Sequence, residues 1–106
     1  MSVVKVDKYV FENEILKSSK IVLLDFYADW CGPCRMVSPI VDKIAQEHPE
    51  YLVGKINVDD QPDLAAAFNV MSIPTLIVLK EGKAVNKIIG AASKAKILSL
   101  LQQAEG

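Results

Sequence analysis

The run Ile21-Val22-Leu23-Leu24-Asp25-Phe26-Tyr27-Ala28-Asp29-Trp30-Cys31-Gly32-Pro33-Cys34-Arg35-Met36 contains the transition that decides the fold. Ile21 to Tyr27 is almost unbroken apolar sequence, interrupted only by Asp25, as a central strand covered on both faces requires. Beyond the cysteines, Met36, Val37, Ile40, Val41, Ile44 and Ala45 recur at the spacing of one helix face, until about His48-Pro49. Pro39 falls inside that stripe. It should remove one backbone hydrogen bond and bend the helix without ending it, because the stripe continues in phase beyond it. A central strand therefore ends in a cysteine-bearing turn that opens directly into a long helix.

Upstream, Val3 to Val6 reads as a short strand, and Asp7 as the N-cap of a helix with Phe11, Ile15 and Leu16 on one side. Downstream, Leu52 to Val58 reads as a strand, and Pro62 takes the first position of a short helix containing Leu64, Ala67 and Phe68. Thr75 to Lys80 and Ala84 to Ile89 are strands joined through Glu81-Gly82-Lys83, a hairpin signal. Ser93 caps a last helix with Ile97, Leu98 and Leu101 inward. Strand–helix alternation makes the first part of the sheet parallel through right-handed crossovers, and the tight hairpin forces an antiparallel pair. The expected class is α/β: a central mixed five-stranded sheet flanked by four helices in three α/β/α layers, with residues 1–106 as one domain.

Composition narrows the function. Of 106 residues 51% are hydrophobic and 24% charged, with 12 Lys and Arg against 13 Asp and Glu, a balance that suits one ordinary domain. A chain of this length can bury a core without metal or a disulfide framework. A net charge of −1 with scattered lysines argues against nucleic acid and anionic membranes as partners. The apolar runs fall far short of the ~18 residues of a bilayer span. The amino end, Met1-Ser2-Val3-Val4-Lys5, has no basic region followed by a long apolar stretch, so no export signal is expected and the expected location is cytoplasmic.

The two cysteines lie three positions apart, at the first turn of a helix beside the carboxyl end of a central strand, where open α/β sheets usually bind ligands. Residues three apart in a helix share a face, close enough for two sulfurs to form and break a bond. Cys31 faces the unpaired N–H groups of the helix start, which favour thiolate over thiol and should place its pKa below the ~8.5 of a free thiol. Cys34, one turn further in and less exposed, should stay protonated until needed. Gly32 leaves backbone open to a partner, and Pro33 stiffens a turn that has no use for its missing N–H. The chemistry that follows is attack by Cys31 on a substrate disulfide, then release by Cys34. Two other readings stand beside it. A structural disulfide across so small a loop stabilises by only about 2 kcal/mol in the chain-entropy model. A zinc site needs four ligands, where this sequence offers two cysteines and His48, so zinc would require a site shared between chains.

Asp25, six residues before Cys31, should be largely desolvated in its apolar strand, which raises its pKa toward neutrality. Lys55 interrupts the apolar run of another strand and is placed to hold Asp25 and modulate its charge. Asp25 reads either as the acceptor of the Cys34 proton, by way of a water, or as a paired structural carboxylate outside turnover.

From Phe26 to Met36 the sequence resembles the thioredoxin family, with supporting matches at Asp25, Pro39, Lys55, Ile73-Pro74-Thr75, Gly82 and Gly90, so that the resemblance covers essentially the whole chain. It implies a cis Ile73–Pro74 bond in a loop against the cysteines, an Ile73 backbone that pairs with an extended substrate segment, and a docking surface of Trp30, Gly32, Pro33, Pro74, Gly90 and Ala91. It also implies a monomeric protein-disulfide reductase without cofactor, whose partners are disulfide-containing substrate proteins and a thioredoxin reductase that draws on NADPH. This chain has no nucleotide-binding glycine fingerprint of its own. An exported oxidase or isomerase, or a binding subunit with incidental cysteines, would share the fold; the Gly32-Pro33 pair resembles the reductase branch. Two departures are visible. Tyr27 stands where Trp is more common, and Met71-Ser72 where a basic residue followed by Ser or Gly is frequent.

Overall fold

The computed structural model describes residues 3–106; Met1 and Ser2, part of the reading of the amino end, lie outside the described residues. The elements follow in the expected order: β1 (Val4–Lys5), α1 (Lys8–Val10) running into a π-helical segment (Phe11–Ile15), β2 (Ile21–Tyr27), α2 (Gly32–Glu47), β3 (Tyr51–Asn57), α3 (Pro62–Ala67), β4 (Thr75–Lys80), β5 (Lys83–Ile89) and α4 (Lys94–Glu105). The strands form one mixed sheet in the order β1-β3-β2-β4-β5. β1, β3 and β2 are parallel, β4 is antiparallel to β2, and β5 is antiparallel to β4.

Alternate residues of each strand face opposite sides, and each side has its own core. Leu23, Tyr51, Val53, Leu76 and Val78 pack under Val37, Val41, Ile44 and Ala45 of α2 and Ile97, Leu101 and Ala104 of α4. Val22, Leu24, Phe26, Ile56, Ile77 and Leu79 pack against Val6, Ile15 and Leu64 on the other side. β2 lies at the centre, between β3 and β4, as its apolar run requires.

Several local expectations are corrected. β1 is two residues long, although the Val6 N–H still donates to the Lys55 carbonyl at 2.9 Å. The first helix loosens into a π segment in which the Leu16 N–H reaches the Phe11 carbonyl, five residues back, at 2.9 Å, and Leu16 turns outward while Ile15 is buried. At the start of α2, Met36 is 70% exposed and does not join the inward stripe. In α3 the buried alanine is Ala65, and Ala67 is exposed. The hairpin turn has two residues, Glu81 and Gly82, with φ of 52° and 77°, the positive pair that matches the twist of the flanking strands; Lys83 already belongs to β5. Pro39 sits inside α2, and the helix continues beyond it. Asp7 and Ser93 cap as expected, accepting from the Val10 and Lys96 N–H groups. Among the described residues, no helix is long and apolar enough to cross a membrane.

Candidate active site

β2 ends at Tyr27, and Ala28-Asp29-Trp30 carries the chain over the sheet's edge into α2. Cys31 is the N-cap of α2, in extended backbone, and its Sγ accepts the Cys34 N–H at 3.2 Å. The two cysteines are joined as a disulfide with Cα atoms 5.3 Å apart. Both are covered, Cys31 to 5% exposure and Cys34 to 3%, so the expected difference in exposure is small. Their surroundings differ more than their exposure. Cys31 meets the helix N-terminus on one side and the Ile73 carbonyl, 3.8 Å from its sulfur, on the other. Cys34 lies inside the helix and borders a cleft of about 240 Å³ with Tyr27, Ala28, Asp29, Arg35, Ser38 and Lys55. The α2 N-terminus therefore presents an N–H and the positive end of its dipole to the Cys31 sulfur.

The Ile73–Pro74 bond is cis, as the resemblance implied. Its loop is fixed at both sides: the Gly90 N–H donates to the Pro74 carbonyl at 2.8 Å, and the Thr75 hydroxyl to the Ser72 carbonyl at 2.7 Å. Gly90 has a φ of 93°, which a glycine adopts without a Cβ penalty. A Cβ at Gly32 would meet nothing within 4 Å, so the approach over the turn is open. Pro33 and Ala91 are exposed and Pro74 is buried. Trp30 is 70% exposed, yet its indole N–H is anchored to Asp59 Oδ2 at 2.9 Å. Between Trp30 and Ile73 runs a cleft of about 400 Å³ lined also by Val58, Val70, Met71 and Ser72, with Met71 94% exposed at its rim.

Asp25 is 3% exposed, and its Oδ1 has no hydrogen-bond partner among the described residues. Burial pushes its pKa up to about 7, opposed by the positive charge of Lys55 and reinforced by the negative charge of Asp42. Asp25 and Lys55 are register partners on β2 and β3. The expected direct hold is corrected, however. No hydrogen bond or ion pair joins the two among the described residues, and the ammonium lies 5.7 Å from the centroid of the Tyr27 ring. Lys55 therefore acts on Asp25 through space.

Four contributors were missed. Asp59, which anchors Trp30, is 29 residues away, and only its place just after β3 hints at the meeting. Val58, read as the last residue of a strand, and Val70, which nothing in the pattern singles out, line the cleft beside Ile73. Asp42 reads as one more exposed helix acid, and no sequence signal links its charge to Asp25.

The thioredoxin family model matches residues 2–103. A thioredoxin from Pyropia yezoensis is 47% identical over 104 residues, covering 97% of each chain. The chain belongs to the thioredoxin family. Among solved structures, a mutant thioredoxin from Halobacterium salinarum NRC-1 superposes with a TM-score of 0.90 at 32% identity, covering 99% of this chain and 92% of the other. A chain from a study of thiol resolution in yeast mitochondrial 1-Cys peroxiredoxin via the glutathione/thioredoxin systems gives 0.85 at 33% identity, covering 96% and 95%. This thioredoxin-family chain is a thiol–disulfide oxidoreductase, and Cys31–Cys34 is its redox-active pair.

Proposed function

We propose that this protein reduces protein disulfides by a two-step exchange in which Cys31 is the nucleophile, Cys34 the resolving thiol and Asp25 the acceptor of the Cys34 proton. In the reduced form the Cys31 thiolate attacks one sulfur of the substrate disulfide. The other sulfur leaves as a thiolate, and a mixed disulfide remains. Asp25 takes the Cys34 proton by way of a water, the Cys34 thiolate attacks the Cys31 sulfur, and the second substrate sulfur leaves as a thiolate. Two electrons pass from the cysteine pair to the substrate. Lys55 modulates the charge on Asp25. The substrate runs past Ile73, whose backbone pairs with it, over the surface of Trp30, Gly32, Pro33, Gly90 and Ala91, with Pro74 buried beneath.

The reading rests on one observation above others: a cysteine at a helix N-cap, with an N–H 3.2 Å from its sulfur, faces the carbonyl of Ile73 beneath an open approach. A separate thioredoxin reductase recharges the pair with electrons from NADPH, in the cytoplasm, and the chain works as a monomer. The test is reduction of insulin by dithiothreitol. Cys31→Ser should be inactive, and Cys34→Ser should accumulate a covalent adduct with insulin. Turnover by Cys34→Ser at the wild-type rate would overturn the assignment. For Asp25, the readout is the resolving step at pH 7 in Asp25→Asn, expected to slow; an unchanged rate removes it from the mechanism.

A further inference from the structure

The side chains of Asp25, Tyr27 and Lys55 share one face of the sheet, since alternate residues of β2 point the same way and Lys55 is the register partner of Asp25. Position alone would let the long Lys55 side chain turn to either neighbour. It turns to the aromatic one, 5.7 Å from the Tyr27 centroid, within the range at which a ring's quadrupole attracts an ammonium. Among the described residues, Asp25, buried and with one oxygen unpartnered, is left without an ion pair. Tyr27 and Lys55 together form part of the wall of the cleft that borders Cys34.

We propose that Tyr27 is a positioning residue: its ring holds the Lys55 ammonium at the cleft wall and away from Asp25, and so sets how readily that carboxyl ionises. Deprived of the ring, the ammonium has a buried carboxylate on the same face as its strongest attractor, and its approach favours the ionised form. The other charges around the group are few. Asp42, exposed on α2, acts on Asp25 through space, while Asp29 and Arg35 line the cleft. The Arg35 guanidinium donates to the Asp29 carbonyl at 2.9 Å, and the β4 register partner of Asp25 is the uncharged Leu76.

The proposal deepens the reading of Asp25 as the proton acceptor, but its test does not depend on turnover. The Asp25 carboxyl is titrated by carbon NMR in the oxidised full-length chain, so a failure here is separable from a failure of Asp25→Asn to slow resolution. In Tyr27→Leu the midpoint should fall by about half a pH unit, roughly threefold in the protonation equilibrium. Tyr27→Phe keeps the ring and should leave the midpoint in place. Replacing Tyr27 with pentafluorophenylalanine keeps the packing but reverses the quadrupole, and should lower the midpoint as Leu does, which covers the case in which Tyr27→Leu fails to fold. Lys55→Met should raise the midpoint, and adding Tyr27→Leu to it should change nothing further. An unmoved or raised midpoint in the Leu and pentafluoro variants, a fall in Tyr27→Phe, or a fall that persists without Lys55 would overturn the proposal.

Discussion

A carboxyl group buried to 3% exposure with one oxygen unpartnered makes folding depend on pH. The Asp25 pKa of about 7 in the folded chain lies above the 3.8 of an ordinary aspartate, so the folded state holds the proton more tightly than the unfolded one. The stability this confers is complete below the unfolded value, declines as pH rises between the two, and is gone above the folded value. The difference between those two values corresponds to a ceiling of about 4 kcal/mol, reduced by any water that reaches the site. Urea unfolding should therefore show stability falling from pH 5 to pH 8.5, and Asp25→Asn, neutral throughout, should lose most of that slope and exceed the wild type at pH 8.5. Equal slopes in the two proteins would mean another group sets the pH dependence. Asp25 itself was legible, because an acid in an apolar strand stands out. The position of the Lys55 ammonium was not: strand period gives the face a side chain occupies but not which neighbour a flexible four-carbon stem selects.

At the scale of elements, pattern located the interiors of strands and helices and lost their ends. β2 and β4 match the predicted spans because both are nearly continuous apolar runs. The π segment escaped because apolar residues four or five apart suit it as well as an α-helix, and only the hydrogen bond from Leu16 to Phe11 separates the two. Met36 escaped because the helical stripe extends one residue past the core at the end that carries the site. One close packing of elements gives a sharp prediction. A Cβ on Gly54 of β3 would lie 2.7 Å from Val6 Cγ2 and 3.3 Å from Leu24 Cδ2. Val6 is buried and stiff at χ1, so it yields little, and Gly54→Ala should destabilise by about 1–3 kcal/mol through overpacking. Its chemical denaturation midpoint should drop at constant slope, with insulin reduction at 25 °C retained because the site is built from other elements. A midpoint equal to wild type would show that β1 shifts freely.

For the whole molecule, alternation and the hairpin signal gave a mixed sheet, while the strand order β1-β3-β2-β4-β5 brings together segments far apart in sequence. Trp30 and Asp59, or Cys31 and Ile73, meet only because β2 is flanked by β3 and β4, and local pattern does not contain that long-range pairing. The same global fold links redox state to stability. Closing the four-residue loop from Cys31 to Cys34 restricts the unfolded chain by about 2 kcal/mol in the chain-entropy model. Folding and reduction form a closed cycle, so whatever the disulfide adds to folding, folding adds to the free energy required to reduce it. Two kcal/mol corresponds to about 40 mV, so the folded pair should have a potential more negative by that amount than the same pair in the unfolded chain. Both sides of the cycle are measurable: urea unfolding of the oxidised and reduced chains at pH 6, where Asp25 is mostly protonated, and glutathione equilibria with and without denaturing urea. The two differences should agree. A folded chain no harder to reduce than the unfolded one would mean that interactions made by the native dithiol, with the α2 N-terminus foremost, cancel the advantage of the closed loop.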